Sequence, residues 1–312
     1  MGFYNPVGSP GTVVSTYLAS QGIFPNPGAN IWFVNNSTSG LPDGAKSGSD
    51  GNGGLSPKEP LATLSQAQTN ALAARGDVIV VLPGHAETLT AALTLSKAGM
   101  QIVGVQIGNR RPRFTVNGAV DLLSLTGANI LLANFDMAIV TTDAATAFVN
   151  VAAAFCKLKN LYFVPSATGV NVVDVITLAT GADDCVIEDC EGYNTVVAVN
   201  SWISIEAAVA RCRIENNLFR GDVATAGIID SATATQLGLF RNKIITIGTN
   251  IPGCILDSNP TGQATGNHMY GTDATIANNA QWGTALILGD NYTRGGTGST
   301  VSATNIIPAL DT

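Results

Sequence analysis

Cys156-Lys157-Leu158-Lys159-Asn160, Cys185-Val186-Ile187-Glu188-Asp189 and Cys212-Arg213-Ile214-Glu215-Asn216 are three versions of one pattern. Each begins with an inward-type cysteine, alternates polar with apolar residues and ends on Asn or Asp. Side chains of a strand alternate between two faces, so Cys and Leu or Ile share one face and the charged residues the other. The pattern extends in both directions. Asn134, Asn160, Asp189, Asn216, Asn242 and Asn267 are spaced by 26, 29, 27, 26 and 25 residues, and Gly104 stands 30 residues before Asn134. Two residues before each marker sit Leu132, Leu158, Ile187, Ile214, Phe240 and Thr265. Four before sit Ile130, Cys156, Cys185, Cys212, Gly238 and Gln263.

A repeat of this length without intervening helices matches one coil of a parallel β-helix. A sandwich or barrel would not require a fixed register across six segments. The fold class is therefore all-β, a parallel β-helix with coils of about 26 residues. Coils stack at about 4.8 Å, so equivalent residues form columns. The expected columns are a corner ladder (Asn134, Asn160, Asp189, Asn216, Asn242, Asn267) and an inward thiol column (Cys156, Cys185, Cys212). An outer charge ladder sets Lys159 beside Glu188 and Glu215 beside Arg241. Asn suits the bend because it tolerates left-handed backbone and bonds neighbouring amides.

One convincing helix precedes these strands. Thr63 and Gln66 form a capping-box pair, Leu64, Ala67, Ala71 and Leu72 fall on one face, and Arg75-Gly76 reads as the end. The expected organisation is an extended arm over 1–30, rich in Pro and Gly, then a β-helix domain over 31–290 with a capping helix at 63–75. A polar tail follows over 291–312.

Composition narrows the function. Of 312 residues, 46% are hydrophobic and only 12% charged, with 15 Lys plus Arg and a net charge of −7. That excludes disorder and coiled coils and argues against nucleic acid, which needs a basic surface. No run of about 18 apolar residues provides a membrane-spanning helix, and MGFYNPVGSP lacks the features of a signal peptide. Between Phe114 and Cys156 the only charges are Asp121, Asp136 and Asp143. Leu122, Leu123, Leu131, Ala133, Ala138, Val140, Ala147, Val149 and Val151 exceed what one inward face takes. This stretch is therefore expected to expose apolar surface, the mark of an interface.

Residues 31–115 resemble the N-terminal region of many bacteriophage virion proteins of the pectin-lyase-like β-helix class. The resemblance rests on the strand Ile31–Val34, the loop Gly48–Gly54, Ser56-Pro57-Lys58-Glu59-Pro60-Leu61-Ala62-Thr63-Leu64 and Gly76-Asp77-Val78-Ile79-Val80-Val81-Leu82-Pro83-Gly84-His85-Ala86-Glu87-Thr88. Ile102-Val103-Gly104 and Arg110-Arg111-Pro112 complete it. It implies a right-handed parallel β-helix whose first coil is capped by the helix. It also implies a non-enzymatic virion protein assembled in a bacterial cytoplasm and often trimeric. The resulting expectation is an oligomeric head decoration protein bound to the major capsid protein. The alternative is a tail spike or fibre that binds or cleaves host glycan as a lyase or glycoside hydrolase.

Cleavage of a glycan would need paired carboxylates. The candidates are Glu188, Glu215 and Asp189, with Glu188 and Glu215 on neighbouring coils. The plainer reading is a solvated sheet face, since the repeat itself puts two Glu in register. His85 in PGHAET reads as part of a turn and His268 as surface. The cysteines have no CxxC spacing, and Cys185 and Cys190, five apart, are expected on opposite faces. Asp50-Gly51-Asn52-Gly53-Gly54 lacks the ligand order of a calcium loop. No metal and no cofactor is expected.

Overall fold

The computed structural model describes residues 18–19, 23, 25–38, 45–106, 111–117, 121–139, 146–164, 172–194, 199–248, 251–271, 280–282 and 286–294. Its strands lie in three parallel sheets, which the chain visits in turn. Sheet A has ten strands, from Ile31–Val34 to Leu286–Gly289. Sheet B has nine, from Ala86–Leu89 to Tyr292–Arg294, and sheet C eight, from Leu93–Leu95 to Ala280–Gln281. The chain is thus a parallel β-solenoid. In sheet A, Leu131, Lys157, Val186, Arg213, Gly238, Gln263 and Ile287 are successive register partners, 26, 29, 27, 25, 25 and 24 residues apart.

The corner between sheets A and B shows how the sequence specifies this shape. One residue per coil there adopts left-handed backbone: Asn134 (φ 68), Asn160 (φ 49), Asp189 (φ 54), Asn216 (φ 57), Arg241 (φ 53), Gly266 (φ 67) and Asp290 (φ 47). The sequence alignment is correct to Asn216 and one residue late beyond it. Asn242 and Asn267 are not bend residues but the next, buried position, in register with Asn217. Their inward strand partners are accordingly Leu239 and Ala264, not Phe240 and Thr265. The slip arises because Asn216 and Asn217 are adjacent, and only burial decides which of them later asparagines continue.

The buried position carries a ladder. Asn217 Nδ2 donates to Asn242 Oδ1 at 2.9 Å, Asn242 Nδ2 to Asn267 Oδ1 at 3.0 Å and Asn267 Nδ2 to Asn291 Oδ1 at 2.9 Å. The same amides also donate to the carbonyls of Ile187, Ile214 and Leu239. In earlier coils the same position is apolar: Phe135, Leu161 and Cys190, all buried. Cys190 therefore faces inward like Cys185, because the left-handed bend at Asp189 breaks strand alternation. Cys156, Cys185 and Cys212 stack inside with their thiols on the carbonyls of Gly127, Ala153 and Ala182. All five cysteines are free and buried.

The helix is shorter than the sequence suggests, spanning Leu64–Asn70. Thr63 accepts the Gln66 amide as N-cap. The reciprocal half of the capping box is missing: the Thr63 amide goes to Asp50 Oδ1, and Gln66 turns to Asn70. Ala71 is already extended (ψ 150), and the Asp77 carboxylate draws the chain away by accepting the Leu72 amide at 3.0 Å. Leu72 consequently points outward, 55% exposed.

Most of the apolar residues singled out between 114 and 156 are also absorbed. Leu122, Leu123, Ala133, Ala138, Ala147, Val149 and Val151 are all buried and Leu131 is half-buried, while Val140 lies outside the described residues. Consecutive residues at a corner can both turn inward, as Leu122 and Leu123 do. Among the described residues, exposed large apolar side chains occur at Leu55, Leu72, Phe155, Tyr193, Leu218, Ile287 and Tyr292, of which Phe155 belongs to that stretch. Outside the solenoid core, Leu18 and Ile23 pack with Phe33, Val78, Val80, Leu82, Val103 and Val105 in a second apolar cluster. At these points the arm expected over 1–30 lies on this chain's own body; most of that arm, and the tail beyond 294, fall outside the described residues. No helix among the described residues is long and apolar enough to cross a membrane.

Candidate functional site

The residues carrying the phage resemblance interlock at the first coil. Asp50 Oδ1 accepts the amides of Ala62 and Thr63, and its Oδ2 accepts the Thr63 hydroxyl at 2.9 Å. Asp50 is thus a clamp on the helix start. Buried Asp77 accepts the Trp32 indole, the Asn30 and Leu72 amides and a double contact from Arg75. Burial alone would raise the Asp77 carboxyl, but these donors lower it to about 2. His85 is buried too. Its Nδ1 accepts the Asn36 amide at 3.1 Å, so its proton sits on Nε2, 3.0 Å from Glu87 Oε2, which also accepts the Leu64 amide. This chain of bonds ties loop, helix and sheet B together, a structural role for His85.

The predicted carboxylates lie on the outer face and corner of sheet A. Glu188 and Glu215 are register partners. Each is held by cations: Glu188 by Lys157 at 2.8 Å and Lys159 at 2.9 Å, Glu215 by Arg213 and by Arg241 at 3.6 Å. Burial would raise the Glu188 carboxyl, but the two lysines hold it below its ordinary value. Asp189 is exposed at the bend, 4.0 Å from Lys159. At the next corner Arg211 grips Asp184 with two bonds of 2.6 Å. A carboxylate kept ionised by fixed cations is poorly suited to donate a proton.

A different group of acids lies on the outer side of sheet C, and the sequence reading missed it. Asp174, 2% exposed, is register partner of Ala147 and Ser201. It accepts the Ser201 hydroxyl at 2.5 Å and the Asn200 amide at 3.4 Å. Glu206, itself exposed, comes near enough for its carboxyl to interact with that of Asp174. Burial raises the Asp174 carboxyl above its usual value, offset in part by Ser201 and Asn200. Burial and then the charges of Asp174 and Asp121 raise Glu206. Asp121 itself accepts the Ala147 amide at 3.0 Å and the Asn150 side-chain amide at 3.3 Å, and Asn150 Oδ1 is buried without a partner. Among the described residues, Asp121, Asp174 and Glu206 form no ion pair, and no group of three or more His, Cys, Asp or Glu is placed to hold a metal. Two acids sharing a site with raised proton affinity are equipped to pass a proton.

The aromatics, scattered in sequence, also gather. On the outer face of sheet B, His268, Tyr270 and Tyr292 form a triangle with ring centroids 5.7–6.1 Å apart. Their signal in the sequence is the outward position two or four residues past each bend.

No protein-family model matches the chain, and no curated protein matches it. Among solved structures the chain is similar to a rhamnogalacturonan lyase, with a TM-score of 0.57 at 14% identity over 85% of this chain and 74% of that one. The GH136 lacto-N-biosidase of Eubacterium ramulus matches at TM-score 0.38 and 11% identity, over 92% of this chain and 70% of that one. ORF18 of Geobacillus virus E2 matches at TM-score 0.41 and 10% identity, over 93% and 63%. The first likeness shows the fold, and the other two are too weak to support an argument.

Proposed function

We propose that this chain is a bacteriophage virion protein, an oligomeric β-solenoid that docks on the capsid and stabilises it. The observation that carries this reading is the first coil. The residues that resemble phage virion proteins form one interlocked cap through Asp50, Asp77, His85 and Glu87. A cap of this kind closes the edge of the solenoid and protects its first coil from pairing with other chains. Low charge supports an assembled rather than a free-standing protein. Contact with the major capsid protein and a trimeric state belong to the same proposal. The subunit seam expected at 114–156 is not part of it, since most of the apolar residues described there are buried, Phe155 excepted. The test is reconstitution. Purified protein added to heads assembled without it should bind and raise their resistance to heat and chelation, and failure to bind would overturn the proposal.

One observation favours a second reading, cleavage of a host polysaccharide. The Asp174–Glu206 pair has the raised proton affinity that a general acid needs. Under that reading Asp174→Asn and Glu206→Gln would each abolish cleavage of surface polysaccharide. Glu188→Gln with Glu215→Gln would leave it intact. Absence of cleavage by the unmodified protein removes this reading.

A further inference from the structure

Where each coil passes from sheet C to sheet A, one residue takes left-handed backbone: Gly99 (φ 75), Asn129 (φ 58), Phe155 (φ 60), Asp184 (φ 55), Arg211 (φ 58) and Gln236 (φ 54). Gly, Asn and Asp tolerate this conformation, whereas a bulky aromatic is strained in it. Phe155 is nevertheless 59% exposed, so the described chain does not cover the ring that its strained backbone presents. Local strain of this kind collects at binding positions.

Beside Phe155 lies a groove of about 750 Å³ with Ala98, Gly99, Ala128 and Leu131 in its lining. Its two charged lining residues are already paired, Lys157 with Glu188 at 2.8 Å and Asp184 with Arg211 at 2.6 Å. The groove therefore suits an uncharged occupant, and its Gly and Ala positions let a peptide backbone come close. The described part of the arm already comes close at this corner. Asn26 lines the groove, and a Cβ on Gly76 would stand 2.4 Å from the Asn26 side-chain nitrogen. Leu18 belongs to the apolar cluster against which Leu131 packs, so the chain that leads into Leu18 starts beside the groove.

We propose that residues 1–17 of this same chain lie in the groove as an extended strap, covering Phe155 with apolar side chains drawn from Phe3, Tyr4, Val7, Val13 and Val14. The segment carries no charged side chain, which matches a groove whose charges are paired. Its length suffices. Seventeen extended residues reach about 55 Å, whereas the path from Gly99 to Asp184 crosses three coil rises, about 14 Å. A tethered segment also has an effective concentration on the order of millimolar, so it outcompetes a free partner of equal affinity. The strap stands independently of the capsid reading.

The test uses the full chain with the photo-reactive residue p-benzoylphenylalanine in place of Phe155. After irradiation, mass spectrometry locates the crosslink, and a denaturing gel separates crosslinks within one chain from those between chains. The captured peptide should lie within residues 1–17 and the product should run as a single chain. Placing the same probe at Tyr4 instead, which leaves Phe155 and its bend untouched, should capture residues 98–99, 128–131 or 155–157. Val13→Asp with Val14→Asp should lower the yield from position 155 at least five-fold. A probe at Tyr292, at the far end of the solenoid, should not capture residues 1–17. Several results overturn the proposal: no capture of residues 1–17 from position 155, an unchanged yield in the Val13, Val14 variant, or equal capture from position 292. So does a product of two chains, because the occupant would then be a second copy.

Discussion

The outer faces of sheets A and C carry acids in opposite states. On sheet A, Glu188 and Glu215 stand in register and each is clamped by two cations. On sheet C, Asp174 and Glu206 face one another with hydroxyl and amide neighbours and no cation among the described residues. The first arrangement lowers proton affinity at Glu188 and the second raises it at both acids. Carboxylates brought together by a repeat are thus not by themselves a reactive pair. What surrounds them decides whether a proton can be held.

The largest effect should come from removing the neutral donor on sheet C. Ser201→Ala leaves Asp174 buried without its shortest hydrogen bond and should cost about 1.5–3 kcal/mol at pH 8, measured by urea unfolding. Next comes the sign of the pH dependence. A carboxyl whose proton affinity is raised by folding favours the folded state at low pH and opposes it as pH rises through the folded value. Asp174→Asn, which keeps an acceptor for Ser201, should therefore raise the unfolding midpoint at pH 8, and the gain should close by pH 4. On sheet A the sign reverses. Glu188 stabilises above the ordinary carboxylate range and loses that contribution as pH falls through its lowered folded value. Glu188→Gln should cost under about 1 kcal/mol at pH 7, diminishing in high salt, since the pair is partly screened by solvent. Smallest of all is the corner pair: Arg211→Ala, at a solvent-facing bidentate contact with Asp184, should leave the melting temperature unchanged.

The solenoid itself was legible from two signals, the alternation within Cys156–Asn160 and its recurrence at Asp189 and Asn216. Register beyond Asn216 was not, because an asparagine can serve either the left-handed bend or the buried position beside it. Arg241 and Gly266 take the bend instead, and Asn242 and Asn267 move inside. The acids of sheet C were hidden for a different reason. Asp121, Asp174 and Glu206 occupy different positions of the repeat. Around them Phe148-Val149, Val175-Ile176 and Trp202-Ile203 are buried as consecutive pairs, so strand alternation fails where it would have shown them on one face. The sequence-based choice of Glu188, Glu215 and Asp189 followed the regular part of the repeat, where charges are easiest to align and most readily paired. The same preference for periodicity overlooked the contact of His268, Tyr270 and Tyr292, which meet only when the coils are stacked.

The contrast between the two faces is tested most directly by a carbon-detected NMR titration of the side-chain carboxyls of Asp174, Glu206 and Glu188 in the folded protein. Asp174 and Glu206 should titrate above the ordinary carboxylate range and Glu188 below it. An Asp174 that titrates at or below Glu188 would contradict the account.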